Sequence, residues 1–94
     1  MYKVRRRKRF KKQLRKLDKQ IQRRVIEEIE LLKSNPEIGD ELKGVLSDFR
    51  RIRIGDYRLV YKVHSSQETV EIIFVDHRKR AYQNLERLRR EEVI

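Results

Sequence analysis

The chain contains no cysteine and no tryptophan, one proline and three glycines. Without thiols it can form neither a disulfide framework nor a thiolate zinc site, and His64 and His77 stand too far apart in sequence to read as a metal-binding pair. No metal and no cofactor is therefore expected. Long apolar runs are also missing: the longest, Ile72-Ile73-Phe74-Val75, falls far short of the ~20 residues that cross a bilayer. The first residues lack the apolar segment of a signal peptide, so the expectation is a cytoplasmic protein without membrane contact. Negative charge is the remaining shortage, with 15 acidic residues against 26 basic ones and a formal charge of +11. Attraction alone then favours a polyanionic partner: nucleic acid, the ribosome or an acidic protein.

What is present must still fold. A composition of 37% hydrophobic and 44% charged residues approaches that of a disordered basic tail, so the case for a fold rests on pattern. Length allows one domain, 1–94, with one thin core. Tyr2-Lys3-Val4 alternates like a short strand, and Phe10, Leu14 and Leu17 then recur at helical spacing. Asp18 is a natural N-cap for a second helix, whose Ile21, Val25, Ile29 and Leu32 form one apolar stripe. Ser34-Asn35-Pro36 ends it, because the residue before a proline is pushed out of helical angles. These two segments predict a helical hairpin with a shared apolar face.

From Phe49 the period drops to two. Ile52 and Ile54 alternate with Arg51 and Arg53, Gly55-Asp56 supplies a two-residue turn, and Tyr57, Leu59, Tyr61 and Val63 alternate with Arg58, Val60 and Lys62. Thr69 to Val75, apolar at nearly every position, predicts a central strand covered on both faces. The expected fold is α+β: a small antiparallel sheet of three or four strands, with the N-terminal helical hairpin on one face. The charged stretch 85–94 reads as a solvated helix.

The turn dictates the register. With Gly55 and Asp56 in the loop, Ile54 faces Tyr57, Arg53 faces Arg58, Ile52 faces Leu59 and Arg51 faces Val60. Ile52, Ile54, Tyr57, Leu59, Tyr61 and Val63 then share the face that the helices cover, and Arg51, Arg53 and Arg58 share the other. Like charges directly opposite one another are destabilising, by roughly 0.2–1 kcal/mol per pair. An anion between them reverses the sign, and a phosphate suits the planar guanidinium fork. Beyond the central strand, Asp76-His77-Arg78-Lys79-Arg80-Ala81-Tyr82 adds cations, an imidazole and a phenol. His77 is the candidate able to act as both acid and base, and Lys62 and Arg80 are further candidate phosphate contacts. His64, Tyr57 and Tyr61 read as structural, and the run Arg5 to Arg9 as phosphate-contacting surface.

Two stretches together, Arg51-Ile52-Arg53-Ile54-Gly55-Asp56-Tyr57-Arg58-Leu59-Val60-Tyr61 and Val75-Asp76-His77-Arg78-Lys79-Arg80-Ala81-Tyr82, resemble the signature of the RelE/ParE toxin superfamily. The Leu17-Asp18-Lys19 junction and the Leu42-Lys43-Gly44 approach to the hairpin strengthen the likeness, which covers nearly the whole chain. The resemblance implies a RelE-like domain encoded with a RelB-like antitoxin that wraps it. It also implies a toxin that enters the ribosomal A site and cuts messenger RNA without metal, by attack of a ribose 2′-OH on the adjacent phosphate. Carried over position by position, Arg51 and Arg53 match the basic pair of the family's central strand, Arg58 its phosphate-binding arginine, Arg78 its C-terminal arginine and Tyr82 its C-terminal tyrosine. The chain departs from the family where it has Arg51 and Arg53, since the best-known pattern has lysines there and a guanidinium does not give up its proton. Tyr82 or His77 is then expected to take the 2′-OH proton, with Arg78 or His77 assisting the leaving oxygen. The rival expectations are a ParE-like toxin that poisons gyrase without catalysis, and a non-catalytic RNA- or ribosome-binding module.

Overall fold

The computed structural model describes residues 1–93. In chain order the elements are β1 (Lys3–Arg6), α1 (Lys8–Lys16), α2 (Lys19–Ser34), β2 (Asp40–Glu41), β3 (Phe49–Ile54), β4 (Tyr57–His64), β5 (Thr69–His77) and α3 (Arg78–Val93), with short 3-10 turns at Gly44–Leu46 and Ser65–Gln67. The five strands form one sheet in the order β1-β5-β4-β3-β2. This exceeds the three or four strands expected, because β2 is only two residues long and β1 joins the far edge by parallel pairing to β5. Sequence periodicity cannot announce such distant or brief pairings. Among the described residues no helix is long and apolar enough to cross a membrane.

Local chemistry sets the element ends. The Asp18 carboxylate accepts the Ile21 N–H at 3.0 Å, which caps α2 and separates it from α1. Gly55 has φ +58°, the left-handed geometry that a two-residue hairpin loop needs and a side chain would resist. The β3–β4 register is the one dictated by that turn: Ile54 opposite Tyr57, Arg53 opposite Arg58, Ile52 opposite Leu59 and Arg51 opposite Val60. On one face, Ile52, Ile54, Leu59 and Tyr61 pack with Phe10 of α1 and with Val25, Ile29 and Leu32 of α2. Burying each of the Val, Leu, Ile and Phe side chains among these contributes roughly 1.5–3 kcal/mol, so this helix-covered face is a large source of stability.

Tyr61 also anchors the loop that leads to β2. Its fully buried hydroxyl donates to the Pro36 carbonyl at 2.8 Å and accepts the Gly39 N–H at 2.9 Å. A Cβ on Gly39 would stand 2.7 Å from that oxygen, so only glycine lets the loop lie against the ring. Burial raises the phenol's pKa, partly opposed by the Gly39 hydrogen bond and the Arg50 charge.

A bulge divides β5 between two cores. Val60 is opposite Phe74 but Tyr61 is opposite Ile72, which leaves Ile73 as the extra residue. Ile72 and Val75 therefore join the helix-covered core, while Ile73 and Phe74 join Phe49, Val60 and Leu46 on the other side. The second core is closed by α3. That helix starts at Arg78, earlier than the charged stretch 85–94 implied, and it is not simply solvated: Ala81, Asn84 and Leu88 are buried against the sheet. Apolar residues at three- and four-residue steps from Ala81, hidden among charges, account for the difference; residue 94 of that stretch lies outside the described residues.

Candidate functional site

Because α3 covers only part of the second face, the end of the sheet near the β3–β4 turn stays open. Arg51 and Arg53 from β3, Arg58 from β4, and Arg78, Lys79, Tyr82 and Gln83 from α3 line a cleft of about 660 Å³ there, floored by Ala81 and Leu85. Five of the sequence-predicted site residues, Arg51, Arg53, Arg58, Arg78 and Tyr82, thus meet in one place. The strands put the three guanidiniums on one face by parity, and α3 brings Arg78 and Tyr82 over them at i and i+4 of its first turns.

No carboxylate neutralises this cluster. Among the described residues none of Arg51, Arg53, Arg58 and Arg78 forms an ion pair. Asp76 stands opposite Arg58 across the β4–β5 ladder, but its oxygens accept from the His77 N–H at 2.8 Å and from Asn84 Nδ2 at 3.1 Å, with Arg80 at 4.0 Å. Arg58 instead donates to the carbonyls of Gly55 and Tyr57 at 3.0 and 2.9 Å, which braces the guanidinium beside the turn. Burial, followed by the charges of Arg53, Arg51 and Arg78, lowers its pKa, and Asp56 opposes them only weakly. The buried Nε of Arg51 has no hydrogen-bond partner at all. An unsatisfied buried donor costs roughly 1–3 kcal/mol.

Other predicted site residues lie elsewhere. His77 is opposite Tyr57 in the ladder, so it points to the helix-covered side of the sheet, away from the arginines. Arg80 is exposed and lines a different cleft with His77, and Lys62 stacks on Phe49 at 5.1 Å and approaches Glu92 at 3.8 Å. Within the basic run, Arg5 and Arg7 pair with Glu71 and Arg9 donates to the side chain of Asn84, so these three are tied into the fold rather than left as a free phosphate-contacting surface. Conversely, Lys79, Gln83 and Leu85 belong to the cleft without having been singled out from sequence. A helix read from Arg78 onward places Tyr82 and Leu85 on one face with Arg78, and that periodicity was the available signal.

Residues 4–82 match the sequence profile of the ParE toxin of type II toxin-antitoxin systems, parDE. Among solved structures, the chain is similar to the RelBE2 toxin-antitoxin complex from Mycobacterium tuberculosis, at 33% identity and a TM-score of 0.72, covering 81% of this chain and 96% of that one. The archaeal RelE-RelB complex from Pyrococcus horikoshii is similar at 31% identity and a TM-score of 0.66, with 82% and 94% covered. The intact E. coli RelBE complex gives 26% identity and a TM-score of 0.75, with 82% and 96% covered. No curated protein matches the sequence.

Proposed function

Given that the chain belongs to the ParE toxin family of type II toxin-antitoxin systems, within the RelE/ParE superfamily, we propose that it is a ribosome-dependent, metal-independent endoribonuclease that cuts messenger RNA in the A site. The observation that carries this reading is the arginine cleft itself: four guanidiniums beside a phenol, none of the four in an ion pair among the described residues. Arg51, Arg53 and Arg58 hold the scissile phosphate and stabilise the charge that develops on its oxygens, where positioned cations contribute most. The ribose 2′-oxygen attacks the adjacent phosphorus and the bond to the 5′-oxygen breaks, leaving a 2′,3′-cyclic phosphate and a 5′-hydroxyl. The 2′-OH proton passes to Tyr82 or Lys79, the two cleft side chains that can accept one in their deprotonated forms, and Arg78 hydrogen-bonds the departing oxygen, which takes its proton from water. His77 has no part in this step because its side chain is on the opposite side of the sheet.

A RelB-like antitoxin, as in the similar RelB-RelE complexes, is the proposed partner and would silence the toxin by covering this face. The rival reading, gyrase poisoning, draws on the ParE profile and requires none of the cleft residues. Purified protein added to stalled ribosomes, with messenger breaks mapped by primer extension, tests the proposal. Cleavage that is lost in Arg58→Ala and reduced in Tyr82→Phe or Lys79→Met supports it. Intact messenger together with inhibited DNA supercoiling overturns it in favour of the rival.

A further inference from the structure

The β5–α3 junction separates two consecutive side chains: Arg78 enters the arginine cleft, and His77 enters a second cleft of about 580 Å³ on the opposite side of the sheet. This second space falls within the roughly 300–1,000 Å³ common for ligand pockets. Lys16 from the end of α1, Tyr57, Asp76, His77, Lys79 and Arg80 wall it, and the Gln13 amide oxygen is fixed there by accepting the Val75 N–H at 3.1 Å. Lys16, Lys79 and Arg80 thus supply three cations, while the Asp76 carboxylate is engaged by the His77 N–H and Asn84, with Arg80 at 4.0 Å.

The aromatic pair in this cleft is held in place. The rings of Tyr57 and His77 meet edge to face, with centroids 5.6 Å apart and planes at 80°. His77 Nδ1 accepts the Lys79 N–H at 3.3 Å, which orients the ring and makes Nε2 the donor in the neutral tautomer. An aromatic platform flanked by lysine and arginine, with one imidazole donor, suits a nucleotide of single-stranded nucleic acid better than a bare phosphate ion. Lys79 borders both clefts, so a strand whose phosphate rests among the arginines reaches the second cleft by crossing it.

We infer that the second cleft is a nucleotide subsite for single-stranded RNA, holding a residue flanking the one bound in the arginine cleft, with Lys16, Lys79 and Arg80 on its phosphates and its base against Tyr57 and His77. This rests on the arginine cleft binding an RNA phosphate, but it does not require cleavage.

The test is equilibrium binding of the full chain to fluorescent 2′-O-methyl oligoribonucleotides, which lack the attacking hydroxyl, two and six nucleotides long, with thermal melts to verify folding. His77→Ala and the exposed-site variant Lys16→Ala each weaken the six-nucleotide probe about tenfold, the loss of one stacked or ion-paired nucleotide, and leave the dinucleotide unchanged. Arg58→Ala weakens both. Binding that shows this pattern in a protein that never cuts messenger refutes the nuclease and keeps the subsite. Six-nucleotide affinity that is indifferent to both His77→Ala and Lys16→Ala overturns the subsite whatever the cleavage result. So does a loss confined to an acidic polyglutamate probe, which reassigns the cleft to a protein partner.

Discussion

Two basic clusters occupy the same side of this sheet, and they are built on opposite plans. Toward β1, Glu71 sits at the centre: Arg7 Nε is 2.7 Å from one carboxylate oxygen, and His64 Nε2 and Arg5 are 2.9 and 3.5 Å from the other. Toward the β3–β4 turn, Arg51, Arg53, Arg58 and Arg78 line a cleft to which no acidic side chain contributes among the described residues. Burial alone would raise the Glu71 pKa, but the hydrogen bonds from Arg7 and His64 and the charges of Arg7 and Arg5 outweigh it and hold the group at about 2. In the other cluster the neighbouring cations add to burial in lowering the pKa of Arg58. One cluster carries its own anion and serves the fold, whereas the other supplies the cations on which the proposed phosphate site rests.

The largest effect that separates the two is catalytic. Arg58→Ala is expected to slow single-turnover messenger cleavage on ribosomes by roughly 10²–10³-fold, the scale of losing one donor to a charged transition state. Glu71→Gln should leave that rate intact and instead lower unfolding free energy at neutral pH by about 2 kcal/mol, discounted for the exposure of Arg5 and Arg7, as read by urea titration.

The sign of its pH dependence follows from the depressed pKa. Glu71's contribution is fully present above the unfolded-state value of 4.5 and is lost as pH falls toward about 2, so in that window Glu71→Gln flattens the stability curve. Asn84→Ala tests the boundary between the clusters. It removes the amide that accepts from Arg9 and donates to Asp76, at a cost of about 1–2 kcal/mol in thermal stability. The smallest expected effect has the opposite sign: Arg53→Thr relieves the repulsion across the β3–β4 pair and raises stability by roughly 0.2–1 kcal/mol, measured by the same urea titration.

Much of the arginine cleft was legible because a hairpin is local. The two-residue turn sets the pairing, the pairing sets parity, and parity puts Arg51, Arg53 and Arg58 together whatever the rest of the fold does. The helices were legible for a similar reason, since Asp18 and the Ile21-to-Leu32 stripe act within a few turns of chain. The side of the sheet that His77 occupies is not legible in the sequence, because proximity to Arg78 along the chain says nothing about side. At a strand end, neighbouring side chains diverge, and here the first turn of α3 takes Arg78 and Tyr82 one way while the ladder takes His77 the other.

Sequence by itself therefore determined the α+β plan, the hairpin register and the presence of a guanidinium row on one face, all consequences of spacing over a few residues. Only the tertiary structure decided that β1 pairs in parallel with β5, that a bulge at Ile73 splits one apolar run between two cores, and that α3 closes part of the arginine face while Lys79 bridges to a second cleft. Those outcomes depend on contacts between residues distant in the chain, selected by which apolar surfaces and hydrogen bonds can be satisfied together, and periodicity carries no record of them.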